Sequence, residues 1–147
     1  MNLRPLNILL ADDDNDDCLF FKKALESLVL RTHLTIVNDG EQLMDYLTGN
    51  SDNLPDILFL DLSMPRKNGL ECLSEIMQSE KLNGISLVML STSNSKETIN
   101  QVFKMGANVY IHKPGDFAQL KQVIHHALPI ASESLISDSR VKYILNA

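Results

Sequence analysis

The sequence predicts one α/β domain, a parallel sheet with helices on both faces, and two observations carry that prediction. Five short apolar runs recur along the chain, and the segments between them repeat their apolar residues at helical spacing. Alternating strand and helix imply parallel neighbours, because a right-handed crossover helix is the ordinary connection between such strands. A chain of 147 residues with 44% apolar content suits a single core of this kind.

The elements follow in order. The run NILLA (7–11) is the first strand, and Cys18, Phe21, Leu25 and Leu28 mark the first helix. LTIV (34–37) precedes a helix marked by Leu43, Met44 and Leu47, and ILFL (57–60) precedes one marked by Leu70, Leu73 and Met77. LVML (87–90) leads to Ile99, Val102, Phe103 and Gly106, and VYIH (109–112) leads to Phe117, Leu120, Ile124 and Leu128. Asp39 with Gln42 has capping-box spacing, Asn94 with Glu97 repeats it, and Pro129 is expected to stop the last helix. Residues 48–56 (TGNSDNLPD) read as an exposed loop.

The first, third and fourth runs are uniformly apolar, as strands buried on both faces should be. The second contains Thr35 and the fifth ends in His112, so strands two and five are expected at the edges. The doubly wound order 2-1-3-4-5, the flavodoxin-like (βα)5 arrangement, places them there. The domain is expected over residues 5–129. Residues 130–147 then form a short tail without an output domain, in which Val141, Ile144 and Leu145 fall at helical spacing. The tail is expected either to fold back on its own domain or to join two chains or a partner.

Composition excludes several function classes. The net charge is −6 and no Lys/Arg cluster exceeds a pair, which argues against direct nucleic-acid partners and anionic membranes. No run approaches the roughly 20 apolar residues of a membrane span. The N-terminal apolar run is short and ends in acids, unlike a signal peptide. Cys18 and Cys72 lie far apart without metal-ligand spacing, as in a reduced cytosolic protein with ordinary buried thiols.

In an open α/β sheet the binding crevice lies beyond the carboxyl ends of the strands, where the order reverses. Here those ends carry Asp12 and Asp13, then Asp61, then Ser91 and Thr92, then Lys113 and Pro114. Taken singly, an acid after a strand is a helix cap, and Asp14, Asn15, Asp16 and Asp17 read as caps and first-turn acids. Ser91 and Thr92 singly read as turn hydroxyls, and Lys113 as a solvated lysine. Taken jointly, Asp12, Asp13 and Asp61 would converge and repel one another, so a cation must sit among them. Lys113 supplies one charge, and an all-oxygen donor set favours Mg²⁺ for the remainder. An Asp beside Mg²⁺, with a lysine and a hydroxyl opposite, is arranged to receive a phosphoryl group.

Together LLADDD, FLDLSMP with NGLE, VMLSTS and GANVYIHKP resemble the receiver domain of two-component response regulators, over roughly residues 5–128. RPLNILLADDDNDD and LSTSNS are most similar to stand-alone receivers that work with phytochrome-like histidine kinases. The resemblance implies that Asp61 is the phosphoacceptor. Asp13 would bind Mg²⁺ directly, Asp12 through water, and Ser63 through its backbone carbonyl. Lys113 would pair with phosphoryl oxygens or with Asp61, Ser91 would be the switch hydroxyl aided by the Thr92 N–H, and Tyr110 the rotating aromatic. A cis Lys113–Pro114 peptide is implied. So are a sensor histidine kinase or phosphotransfer protein as donor, a downstream protein target bound through the fourth helix, fifth strand and fifth helix, and a cytoplasmic location.

Gly115 departs from the bulky apolar residue usual in that family after Lys-Pro, which is expected to loosen the start of the last helix. Ser63 and Ser93 occupy positions that tune phosphate lifetime there. Three rival readings stand against this one. A phosphatase of the haloacid dehalogenase type would need a Gly-Thr after the first acids, which ADDDNDD lacks. A flavodoxin would need a hydroxyl-rich phosphate loop where this chain is acidic. A receiver kept only for docking would not need Asp13, Asp61, Ser91 and Lys113 together.

Overall fold

A computed structural model describes residues 4–93, 95–136 and 143–145. Strands β1 (Leu6–Ala11), β2 (Thr32–Val37), β3 (Ile57–Asp61), β4 (Ser86–Ser91) and β5 (Val109–His112) alternate with helices α1 (Asn15–Glu26), α2 (Gly40–Gly49), α3 (Gly69–Gln78), α4 (Lys96–Met105) and α5 (Phe117–Ile136). All five strands run parallel in the expected order 2-1-3-4-5.

Alternation of side chains along the central strands builds two core layers. Ile57 and Phe59 face α1 and α5, packing with Phe21, Ala24, Val123 and Ala127. Leu58 and Leu60 face α2, α3 and α4, packing with Leu43, Leu73, Ile76 and Val102. Phe21 meets Phe59 edge to face at 4.8 Å between ring centroids. Each fully buried side chain of this kind contributes about 1.5–3 kcal/mol, so β3 is fixed firmly along its length and its last residue, Asp61, is held with it. Burial raises the thiol pKa of Cys18 to about 12 and of Cys72 to about 11. Both thiols are therefore protonated, unreactive parts of the core at neutral pH.

The structure corrects several expectations. A sixth strand, β6 (Tyr143–Leu145), pairs in parallel with β5 in the register Val109↔Tyr143, Tyr110↔Ile144, Ile111↔Leu145, so β5 is not an edge. Of the tail residues at helical spacing, Ile144 and Leu145 lie in this strand, and Val141 falls outside the described residues. Pro129 does not stop α5, which runs on to Ile136. The proline removes the donor to the His125 carbonyl, but both residues are exposed, where water reaches that carbonyl, while Ala127, Leu128 and Ala131 stay buried and hold the helix.

Asp39 caps α2 by accepting from the Gln42 N–H at 2.8 Å, while the Gln42 side chain accepts from Asn38 rather than from Asp39. The cap of α4 is Ser95, accepting from the Thr98 N–H, and Asn94 falls outside the described residues. The stretch 48–56 is only partly an exposed loop. Thr48 and Gly49 belong to α2, Pro55 is buried, and Asp56 accepts from Arg4 and from the Asn7 N–H. Among the described residues no helix is long and apolar enough to cross a membrane.

Candidate functional site

The site is assembled from the ends of β1, β3, β4 and β5. Asp12 follows β1 directly and is 2% exposed. Its backbone is pinned from several sides: its N–H donates to Val37, and its carbonyl accepts from the Asn38 side chain and the Cys18 thiol. Asp61 ends β3 and is 4% exposed. The two acids stand on paired neighbouring strands, in which Ala11 is opposite Leu60. Asp13, on the turn after β1, is exposed. One oxygen from each of Asp12, Asp13 and Asp61 lies within 4.8 Å of the others. The predicted convergence is therefore present.

Lys113 reaches into this cluster from the end of β5, where its N–H donates to the Ser91 carbonyl at 2.8 Å. Its Nζ donates to Asp61 Oδ2 at 2.9 Å, to Asp12 Oδ2 at 3.1 Å and to Asp17 Oδ2 at 3.1 Å. Burial acts to lower the lysine pKa, but the charges of and hydrogen bonds to Asp61 and Asp12 together outweigh it and hold the ammonium above the usual lysine range. Asp12 is pushed up to about 6, first by burial, with the Asp61 charge adding to the rise and the Asp14 N–H and Lys113 opposing it. One lysine thus leaves the cluster short of positive charge.

The remaining acceptor positions are ordered by backbone donors. Asp61 Oδ1 accepts from the Ser63 N–H at 3.0 Å, and Asp12 Oδ1 accepts from the Asp14 N–H at 3.0 Å. Behind Asp61, Gly69 starts α3 with its N–H on the Leu62 carbonyl. A Cβ at Gly69 would lie 2.5 Å from the Asp61 carbonyl oxygen, so glycine is required for α3 to pack this closely. Asn68 caps that helix in a full capping box with Glu71, a cap that the NGLE stretch spells but that was not among the expected ones. In the loop between, Arg66 takes a left-handed φ of 68°, uncommon for a side chain of its size.

The hydroxyl residues stand beside the cluster. Ser91 ends β4, is buried, and its Oγ accepts from the Ser93 N–H at 3.0 Å. Thr92 is exposed, and its carbonyl lies 3.0 Å from His112 Nε2. Tyr110 is fully buried, and its hydroxyl donates to the Ser93 carbonyl at 2.7 Å. Ser91 and Tyr110 therefore hold the same residue, Ser93, through its N–H and its carbonyl.

Two site expectations need correction, and one residue has a partner that the sequence did not show. Among the described residues there is no cis peptide, so Lys113–Pro114 is trans. An X–Pro bond favours trans by about 0.5–1 kcal/mol, and the Lys113 side chain spans to Asp61 and Asp12 without the cis form. Gly115 does not leave the start of α5 loose, because Asp116 caps it by accepting from the Gln119 N–H at 2.8 Å. Asp17, read from sequence as a first-turn acid, also pairs with Lys113 across 96 residues of chain. No local pattern signals that pair. Only the packing of α1 against α5 on one face of the sheet, which brings the first turn of α1 within reach of Lys113, could have suggested it.

Comparison with known proteins agrees with this geometry. The model of the response regulator receiver domain family matches residues 8–125. The probable methanogenesis regulatory protein FilR2 of Methanothrix harundinacea is 34% identical over 82% of this chain and 79% of its own length. Response regulator Rcp1 of Synechocystis is 30% identical over 82% of this chain and 84% of its own. Among solved structures, the phosphorylated cyanobacterial phytochrome response regulator RcpA is similar with a TM-score of 0.78 and 31% identity, covering 92% of this chain and 97% of that one. The Mn²⁺-bound form of Rcp1 has a TM-score of 0.76 and 28% identity, covering 83% and 91%.

Proposed function

Because the chain belongs to the response regulator receiver family, we propose that it is a phosphorylation-driven switch in which Asp61 takes a phosphoryl group from a histidine kinase or phosphotransfer protein. As a receiver it is a signalling module rather than an enzyme that turns over substrate. The observation that carries the proposal is the Lys113 ammonium held between Asp61 and Asp12, beside a third acid, Asp13, on an all-oxygen face. Rcp1 and RcpA, the relatives described as Mn²⁺-bound and phosphorylated, support the same reading.

The donor set fits Mg²⁺: three carboxylates, no sulfur or imidazole among them, and a buried Asp12 whose pKa is raised first by burial and further by the neighbouring Asp61 charge. Asp13 and Asp61 would hold the ion directly and Asp12 through water, with the Ser63 carbonyl as a further ligand. When bound, Mg²⁺ supplies charge neutralisation for the phosphoryl oxygens. The residues do the rest. A carboxylate oxygen of Asp61 attacks phosphorus, one P–O bond forms, the P–N bond of the phosphohistidine breaks, and its electron pair returns to the imidazole. Lys113 meets the charge gathering on the transferred group.

Readout runs through Ser91, Thr92 and Tyr110. The added charge, up to about −2 at neutral pH, draws the Ser91 hydroxyl and the Thr92 N–H toward the phosphoryl group. Ser91 then releases the Ser93 N–H, and the Ser93 carbonyl that holds Tyr110 shifts with it. A downstream protein would read the face of α4 and α5, where β6 covers the β5 edge that the sequence left open between them. The receiver unit is residues 5–129, and beyond it the short tail lies on its own domain through the pairing of β6 with β5.

The test is intact mass after incubation with acetyl phosphate. The proposal expects one added phosphoryl group with Mg²⁺ and none with excess EDTA. Equal modification with and without the chelator would overturn it.

A further inference from the structure

Lys113 makes more contacts than the proposed chemistry uses. An ammonium has three N–H donors, and here each has its own carboxylate: Asp61 at 2.9 Å, Asp12 at 3.1 Å and Asp17 at 3.1 Å. The first two belong to the cluster of oxygens that converge within 4.8 Å, together with Asp13; Asp17 does not. Two of the three acceptors are therefore on the carboxylates that a divalent ion or a phosphoryl group would claim.

Asp17 is held where it can serve as the third. Asp14 caps α1 by accepting from the N–H groups of both Asp16 and Asp17, which fixes Asp17 in the first turn facing the end of β5. Its side chain is 44% exposed while that of Lys113 is 18% exposed. The pair therefore sits at the mouth of the site, with the lysine head inside and its third partner at the rim.

We propose that Asp17 is a positioning residue: it retains the Lys113 ammonium at the site when Asp12 and Asp61 transfer their share of it to the cation and the phosphoryl group. This rests on the reading of Asp61 as phosphoacceptor, and it assigns Asp17 a task that neither ion nor phosphate binding gives it. Without Asp17, cation binding would leave Lys113 with a free donor and no fixed acceptor outside the reacting groups. Its long side chain would then sample other rotamers, and the charge that should meet the phosphoryl oxygens would be in place for only part of the time.

Two measurements on the full chain test this. In the first, lysine is ¹⁵N-labelled and the Lys113 ammonium signal, assigned by its loss in Lys113→Arg, is followed as Mg²⁺ is added. The wild type should keep a slowly exchanging signal at saturating Mg²⁺, and Asp17→Asn should lose it on Mg²⁺ addition. In the second, the rate of phosphorylation by acetyl phosphate should fall about three- to five-fold in Asp17→Asn, the rate equivalent of a partly exposed ion pair. Asp17→Glu should recover part of it. Asp16→Asn removes the same first-turn charge without touching Lys113, so it should leave both readouts near wild type. A persistent Lys113 signal in Asp17→Asn with Mg²⁺, or equal slowing by Asp16→Asn and Asp17→Asn, would overturn the assignment. If the wild type takes no phosphoryl group at all, the proposed function fails instead, and the ammonium signal still decides whether Asp17 holds the lysine.

Discussion

Lys113 Nζ lies 2.9 Å from Asp61 Oδ2, joining the ends of β5 and β3 across 52 residues of chain. The contact places the lysine's charge on the proposed phosphoacceptor before any phosphoryl group arrives. Lys113→Met should leave Asp12 and Asp61 as neighbouring buried acids without a counter-charge. Breaking a buried pair by removing one partner costs about 3–5 kcal/mol. Here the lysine is 18% exposed and water can relieve part of the loss, so about 2 kcal/mol is expected. Urea unfolding should show that loss in the absence of divalent ions and its partial recovery with Mg²⁺, which binds only the folded site.

Asp12 sets a pH dependence on cation binding. Its pKa in the folded protein is raised to about 6, chiefly by burial. A proton and a divalent ion compete for that carboxylate, so Mg²⁺ affinity should be nearly flat above pH 7 and weaken below 6 by up to about tenfold per pH unit. The sign for stability follows from the same shift. Between about pH 4, the unfolded value, and 6 the folded state holds the proton more tightly. The Asp12 contribution to the metal-free protein should thus improve as pH falls through 6. Calorimetric titration with Mg²⁺ at several pH values, on wild type and Asp12→Asn, should show the pH slope reduced in the variant.

Gly69 is as much a part of the site as the acids are. A methyl group there would meet the Asp61 carbonyl oxygen at 2.5 Å and Leu62 Cα at 2.6 Å, both backbone atoms that cannot turn aside. Gly69→Ala should cost about 1–3 kcal/mol as an overpacking change and slow phosphorylation by displacing Asp61. Gly49→Ala, where nothing lies within 4 Å of the added Cβ, is the matched control and should leave phosphorylation unchanged.

Ser91 and Tyr110 should separate acceptance of phosphate from its readout. Ser91→Ala removes the acceptor of the Ser93 N–H and the hydroxyl proposed to move toward the phosphate. It should still take up phosphate on Asp61, while the Tyr110 ring signals in ¹H NMR lose their response to phosphorylation. Tyr110→Phe deletes the hydrogen bond to the Ser93 carbonyl. It should destabilise the protein by about 0.5–1.5 kcal/mol without changing the rate of phosphate uptake. A Tyr110 response of wild-type size in Ser91→Ala would remove Ser91 from the switch.

The sequence made the five strands and the converging acids legible because both rest on strong local signals: uniformly apolar runs for strands buried on two faces, and polar residues at strand ends. What it did not show was either weak or non-local. Tyr143–Leu145 is only three residues long, and its neighbours' helical spacing outweighed a strand reading until β5 offered it a partner. Pro129 signals a helix end by its chemistry, yet the burial of Ala127, Leu128 and Ala131 carries α5 past it. Asp17 reads as an ordinary first-turn acid, and its pairing with Lys113 exists only once the chain closes over 96 residues. The trans Lys113–Pro114 bond overturns an expectation taken from resemblance rather than from anything in the residues themselves.

The most direct measurement is to locate the phosphoryl group. The protein is treated with acetyl phosphate and Mg²⁺, the acyl phosphate is trapped by reduction with borohydride, and the peptides are sequenced by mass spectrometry. Conversion of Asp61 to homoserine, with no conversion at any position in Asp61→Asn, is the predicted result. Trapping at another carboxylate in the wild type, or undiminished phosphorylation of Asp61→Asn, would contradict the account.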